Sequence, residues 1–288
     1  MDKLRGILFS LAVVLLLSVA SFASADVGDL PVPGGSITPG DKTDSISMEY
    51  EKVEIDISPD ASIAFPETTE YKQKLRQGQY YAHITAYFEM KNLTDQLEHR
   101  QVMFPFHYSF GVEDYERVGG YTNNVSVEVD GVEVSVNYQD LSYPRKSGDT
   151  ETLVSGVFEV DMAADSITVI EISYDLLGIH NAKSPSIGFQ YMMETGSHWA
   201  GTIGRGEIVV SFWEPVDSSI VLSHPDARFV PRDGDLVWEF TDLEPTVEDN
   251  IDISFTPDDV EAWVNEDNSL RSLPQGSKKV GRGRMRSW

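Results

Sequence analysis

From Tyr80 to Met90 the chain alternates without a break. Tyr80, Ala82, Ile84, Ala86, Phe88 and Met90 hold one parity, and Tyr81, His83, Thr85, Tyr87 and Glu89 hold the other. Successive side chains of an extended strand leave by opposite faces, so this segment is a strand with one buried face and one wet face. The same period recurs along most of the sequence. Ile46, Met48 and Tyr50 alternate, and Val53, Ile55 and Ile57 continue on the opposite parity. One extra residue near Glu51-Lys52 accounts for the switch and predicts a bulge or a bend between sheets. Val125, Val127 and Val129 run into Asp130-Gly131, and Val132, Val134, Val136 and Tyr138 run out. That is a hairpin signal, because both turn residues tolerate positive φ. Further strands are predicted at 154–162, 167–174, 187–193, 207–213, 236–240 and 251–255. Short strands at regular spacing make the fold class all-β, an antiparallel β-sandwich.

The ends of the chain break this pattern. Lys3 and Arg5 precede the apolar run Ile7 to Val19, and Ala23-Ser24-Ala25 fits a small-x-small cleavage site, so residues 1–25 read as a secretory signal peptide. The apolar run is short for a membrane span of about 20 residues, and no span is expected after cleavage. Residues 26–45 hold Pro31, Pro33, Gly34, Gly35, Pro39 and Gly40 and read as an extended Pro/Gly linker. Gly178, Asn181 and Pro185 interrupt the strands, which suggests two sandwich-like domains in tandem, 46–177 and 178–256, with a single two-sheet domain as the alternative. Thr256-Pro257-Asp258-Asp259 offers an N-cap, a proline at the first helical position and acids in the first turn. Val260, Trp263 and Val264 then give an apolar stripe, predicting a short C-terminal helix over 257–272. Residues 273–288 form a basic tail carrying Lys278, Lys279, Arg282, Arg284 and Arg286.

Composition removes several function classes. A formal net charge of −25 and a pI near 4.4 argue against a nucleic-acid binder, which needs a basic surface. With no cysteine there are no disulfides, thiolate zinc sites or cysteine nucleophiles. The sequence has no G-x-S-x-G elbow, no H-E-x-x-H and no P-loop, and its six histidines are scattered. No cofactor is expected. Calcium is the metal most compatible with an acid-rich exported β protein, and Asp233 and Asp235 with Glu239 are its candidate ligands. The same Arg232-Asp233-Gly234-Asp235 stretch also reads as a hairpin turn.

The segment Tyr191 to Ile208 contains Thr195-Gly196-Ser197-His198-Trp199-Ala200-Gly201-Thr202-Ile203-Gly204. Downstream stand Trp238, Phe240 and Pro245, and upstream Phe104-Pro105-Phe106. Together these resemble a family of exported bacterial proteins of the domain-of-unknown-function 4424 type, in which a T-G-x-x-W-x-G-x-I-G loop between strands precedes a late W-x-F-x-x-x-x-P. The resemblance implies an exported β-rich module and brings no catalytic residues. Physically, the glycines permit tight turns while Trp199 is the natural plug of the loop. The sharper reading makes Glu194, His198, Trp199 and Arg205 a ligand site with an aromatic platform and polar groups beside it.

These observations favour a non-catalytic exported β-sandwich protein that binds a cell-envelope or extracellular component, either a polysaccharide or a protein partner. A structural or accessory subunit of a surface assembly is the second reading. A carboxylate- or metal-dependent hydrolase is the third. Oligomeric state is not legible from the residues.

Overall fold

The long alternating segment lies near the centre of an eight-stranded sheet. In the computed structural model, which describes residues 32–39, 41–59, 64, 80–108, 122–144, 150–180, 187–212, 220–223 and 228–255, strands are numbered in chain order. Strand β4 (Tyr81–Asn92) pairs with β3 (Ile46–Ser58) on one side and β10 (Ile167–Leu177) on the other. Beyond β10 come β6 (Thr122–Val129) and β7 (Val132–Glu133). Beyond β3 come β13 (Ile203–Phe212), β16 (Asp235–Leu243) and β15 (Val230–Arg232). A four-stranded sheet has the order β2 (Thr38–Pro39), β5 (Glu98–Tyr108), β9 (Thr150–Met162), β8 (Asn137–Pro144). The third sheet runs β1 (Val32–Gly35), β12 (Ile187–Met192), β17 (Ile251–Phe255), β14 (Ile220–Ser223), with β11 (Ile179–His180) also on β12.

Both smaller sheets cover the same face of the large one, which makes the molecule an all-β sandwich. Phe104 and Phe106 of β5 meet Tyr174 of β10 with ring centroids 6.1 and 5.4 Å apart, and Phe255 of β17 meets Phe212 of β13 at 5.8 Å. One continuous apolar cluster includes Ile55, Ile84, Phe88, Phe104, Phe158, Ile172, Phe189, Trp199, Ile208 and Ile253. Burial of that face is what requires the alternation seen in the sequence. The Asp130-Gly131 hairpin forms as expected, both residues having positive φ (49° and 74°) between paired β6 and β7. Its second arm is brief, because the chain then crosses into the four-stranded sheet as β8.

Most ladders are antiparallel, as expected, while β3 pairs in parallel with β13, and β1 with β12. Two expectations are corrected. The Pro/Gly stretch is not a free linker from residue 32 onward. Its β1 is a strand of the five-stranded sheet, its β2 is a strand of the four-stranded sheet, and Ser36, Ile37 and Thr38 are buried. The segment is therefore the seam joining the two smaller sheets. Finally, the parity switch in β3 sits earlier than the sequence suggests. Met48 pairs with Met90 and Tyr50 with Glu89, so the bulge is at Glu49. Tyr50 is thereby turned outward and Glu51 inward, where it pairs in register with Phe88.

The eight-stranded sheet also runs across the boundary expected near residue 178, since β13 and β16 from beyond it stand beside β3 from before it. The signal peptide, the 257–272 helix and the basic tail lie outside the described residues. No helix among the described residues is long and apolar enough to cross a membrane.

Candidate functional site

The glycine-rich loop closes over the seam. Residues Glu194–His198 make a 3₁₀ turn after β12, and Trp199 follows with only 2% of its surface exposed. Its indole Nε1 donates to the carbonyl of Ile37 at 3.0 Å. Thr195 Oγ1 donates to the carbonyl of Ser36 at 2.7 Å, and the Ser36 amide donates to the Met192 carbonyl at 3.0 Å. His198 Nδ1 lies 2.9 Å from Thr38 Oγ1, while the His198 carbonyl accepts from the Thr43 amide. Burial, helped by nearby Lys42, pushes the His198 imidazole down from its ordinary value, so it is neutral at pH 7. Glu194 receives its bonds from Asn250, at the entry to β17: its amide donates to Asn250 Oδ1 at 3.1 Å, and Asn250 Nδ2 donates to its carboxylate at 3.3 Å. Glu194, His198 and Trp199 are thus brought together, but around the chain's own seam. Their arrangement is that of a clasp.

Arg205 stands apart, on the outer face of the eight-stranded sheet. Its guanidinium lies over the Tyr50 ring at 4.5 Å and reaches Glu89 at 3.7 Å, with 63% of the side chain exposed. Register explains the cluster. Arg205 is opposite Tyr50 on β3, and Tyr50 is opposite Glu89 on β4. The Tyr50 and Tyr87 rings meet edge to face, 6.0 Å between centroids. Further along the same face, His83 Nδ1 and Asp175 Oδ1 are 2.7 Å apart, and Asn124 Nδ2 donates to Asp175 Oδ2 at 2.6 Å. The Asp175 hydrogen bond holds the His83 imidazole above its ordinary value, favouring an imidazolium donor over a general base. Glu207 is paired with Glu239, and Glu171 with Glu128, so like charges face each other across two ladders. The outer face is rich in carboxylates, carries Tyr50, Tyr81 and Tyr87, and sits on paired strands. Its Tyr81-to-Glu89 parity was legible in the sequence; the place of Tyr50 was not, because the bulge position decides it.

The calcium candidates do not form a cation site. Asp233 and Gly234 have positive φ (55° and 101°) and make the two-residue turn between β15 and β16. Glu239 is engaged by Arg232 at 3.0 Å. Asp235 and Glu239 lie four residues apart on one strand, a separation of about 13 Å that no single ion bridges. Among the described residues no three His, Asp or Glu side chains are placed to hold a metal ion.

A second polar cluster lies inside the sandwich. Glu51 is fully buried, and burial pushes its carboxyl up to about 7, partly offset by the Ser36 and Tyr191 hydroxyls beside it. Tyr191 Oη donates to Glu51 Oε1 at 3.2 Å. Glu51 Oε2, Ser36 Oγ and Tyr174 Oη are buried and make no hydrogen bond of normal geometry within the described residues.

No family model and no curated protein matches this chain. Among solved structures, a protein of Legionella pneumophila named a "putative nutrient binding protein" is similar with a TM-score of 0.55 and 15% identity, over 79% of this chain and 72% of its own. An M1 zinc metallopeptidase of Deinococcus radiodurans gives a TM-score of 0.35 and 8% identity, covering 75% of this chain and 43% of the enzyme. The first likeness is one of fold and agrees with the all-β sandwich built above.

Proposed function

We propose that this chain is an exported, non-catalytic binding protein that engages an envelope or extracellular polysaccharide through the outer face of its eight-stranded sheet. The observation that carries the reading is the Arg205–Tyr50–Tyr87–Glu89 cluster. Two rings, a guanidinium fork and a carboxylate are held in register on adjacent strands, offering stacking surface and both kinds of hydrogen-bonding partner to a polyhydroxylated ligand. The fold likeness to a protein named for nutrient binding supports a binding role over a catalytic one, and so does the engagement of His83 as a donor between acidic groups. Export rests on the Lys3, Arg5, Ile7-to-Val19 and Ala23-Ser24-Ala25 pattern, and on the resemblance of the 195–204 loop to the exported 4424-type family. A protein found outside the cytoplasm with Asp26 as its first residue is the expected result of N-terminal sequencing.

The binding reading is tested by titrating purified protein against glycans and peptidoglycan, with calcium and with chelator. A specific hit that is lost in Tyr87→Ala and in Arg205→Ala, with the melting temperature unchanged, is expected. Equal binding by both variants would remove the outer face from consideration. A structural role is favoured by one observation, the exposed edge strand β8, whose Tyr138 is exposed. Sedimentation equilibrium giving a defined oligomer, with no glycan hit, would select that role.

A further inference from the structure

Among the described residues, Glu51 is buried against groups that give its charge no counterion. Register puts Phe88 of β4 and Gly206 of β13 beside it on the adjacent strands. Across the sandwich stands Tyr191 of β12, with Tyr174 of β10, from Glu51's own sheet, close to Tyr191; both phenols are pushed up by burial and so neutral throughout the ordinary pH range. Ser36, in the seam between β1 and β2, supplies the last neighbour. No lysine, arginine or histidine among the described residues lowers the carboxyl. Of its two oxygens one accepts from Tyr191, and the other makes no hydrogen bond of normal geometry among the described residues. A neutral carboxyl tolerates such a place, whereas a carboxylate requires solvation that the enclosure does not provide.

The seam is the thinnest wall of that enclosure. β1 contributes four register pairs with β12, and β2 only two with β5. The long strands β3, β4 and β10 form the opposite wall, with β4 paired along its length on both sides. If the site must open to water, the seam is the element that yields.

We propose that Glu51 is a proton-operated latch on the seam Gly34 to Pro39: the neutral carboxyl keeps the segment seated between the two smaller sheets, and ionisation releases it. The closed state holds the proton to higher pH than the open state, so each opening releases a proton. The opening equilibrium therefore rises with pH until the closed-state carboxyl itself ionises, near neutrality, and is level above that.

Native-state hydrogen exchange on the full chain, corrected for intrinsic rates, reads this directly. Protection of the Ser36 amide, bonded to the Met192 carbonyl, is expected to fall about tenfold per pH unit between about pH 5 and about pH 7 and then flatten. Amides of β4 and β10, which open only with the whole fold, should remain better protected than Ser36 at every pH, whatever slope global unfolding gives them. In Glu51→Gln the dependence should vanish. A flat profile in the wild type, a Ser36 amide that opens only together with β4 and β10, or an unchanged fall in Glu51→Gln would each overturn the latch. Should Glu51→Gln not fold, Tyr191→Phe removes the hydroxyl that favours the anion and must move the midpoint to higher pH; an unmoved midpoint overturns the proposal as well.

Discussion

Trp199 shows how one side chain fixes an otherwise loose connection. Its ring fills space between the loop and the core, and its one donor is spent on the Ile37 carbonyl, so truncation leaves both a cavity and an orphaned acceptor. Trp199→Ala is expected to lose about 3–5 kcal/mol in urea unfolding. Glycan binding, measured where the variant is still folded, should survive, since the outer-face cluster lies elsewhere. Glu51 acts through pH instead. Its folded-state value of about 7 lies above the ordinary 4.5, so its contribution is fully present below about pH 4.5 and is lost as pH rises through about 7. The loss amounts to about 3 kcal/mol and should be absent in Glu51→Gln, as followed by denaturant midpoints across that range. Trp199 as a plug could be read from the sequence, because a large ring among glycines has few other uses. Glu51 could not. Alternation alone allows the extra residue of β3 to sit at 49 or at 51, and those two choices give Glu51 opposite faces.

At the scale of elements, the instructive failure is the seam. Prolines and glycines at 31–40 carry the composition of a tether, yet residues 34–39 are among the most deeply buried in the chain. Composition reports how freely a backbone can turn; it does not report that a neighbouring side chain occupies the space a Cβ would need. At Gly34 that neighbour is the Tyr174 hydroxyl, and at Gly35 it is the Pro105 ring and the Met192 side chain. Glycine is required there for close approach of the seam to the core. Gly34→Ala must displace Tyr174 from beside the Glu51 cluster, and a loss of about 1–3 kcal/mol is expected by chemical denaturation. Gly131, whose added Cβ would meet nothing within 4 Å, is the control. Gly131→Ala there acts only through its positive φ, at about 1 kcal/mol. The β-strands themselves were legible because one-sided burial imposes period two. The seam was not, because strands of four and two residues are too short to establish a period.

At the scale of the molecule, the decisive contact is the parallel pairing of β3 with β13. It places a strand from each side of residue 178 in one ladder of eight register pairs, Tyr50–Arg205 through Ile57–Phe212. A parallel pair needs a long crossover, and here the intervening chain passes through strands of all three sheets. The apolar cluster crosses the same line, with Phe88 and Phe104 from one side and Phe189 and Ile253 from the other. Neither half can then keep its buried face covered when the other unfolds, because exposing β13 also uncovers β3. Tandem sandwiches would melt independently, and calorimetry would resolve two transitions. This topology instead predicts one, with near-ultraviolet and far-ultraviolet signals falling together and calorimetric and van't Hoff enthalpies agreeing. Two separated transitions would mean that the β3–β13 ladder opens before either core does. The seam then becomes informative a second time: it ties the two smaller sheets together and belongs to neither half alone, so a chain cut within 181–186 should remain associated and unfold in the same single step.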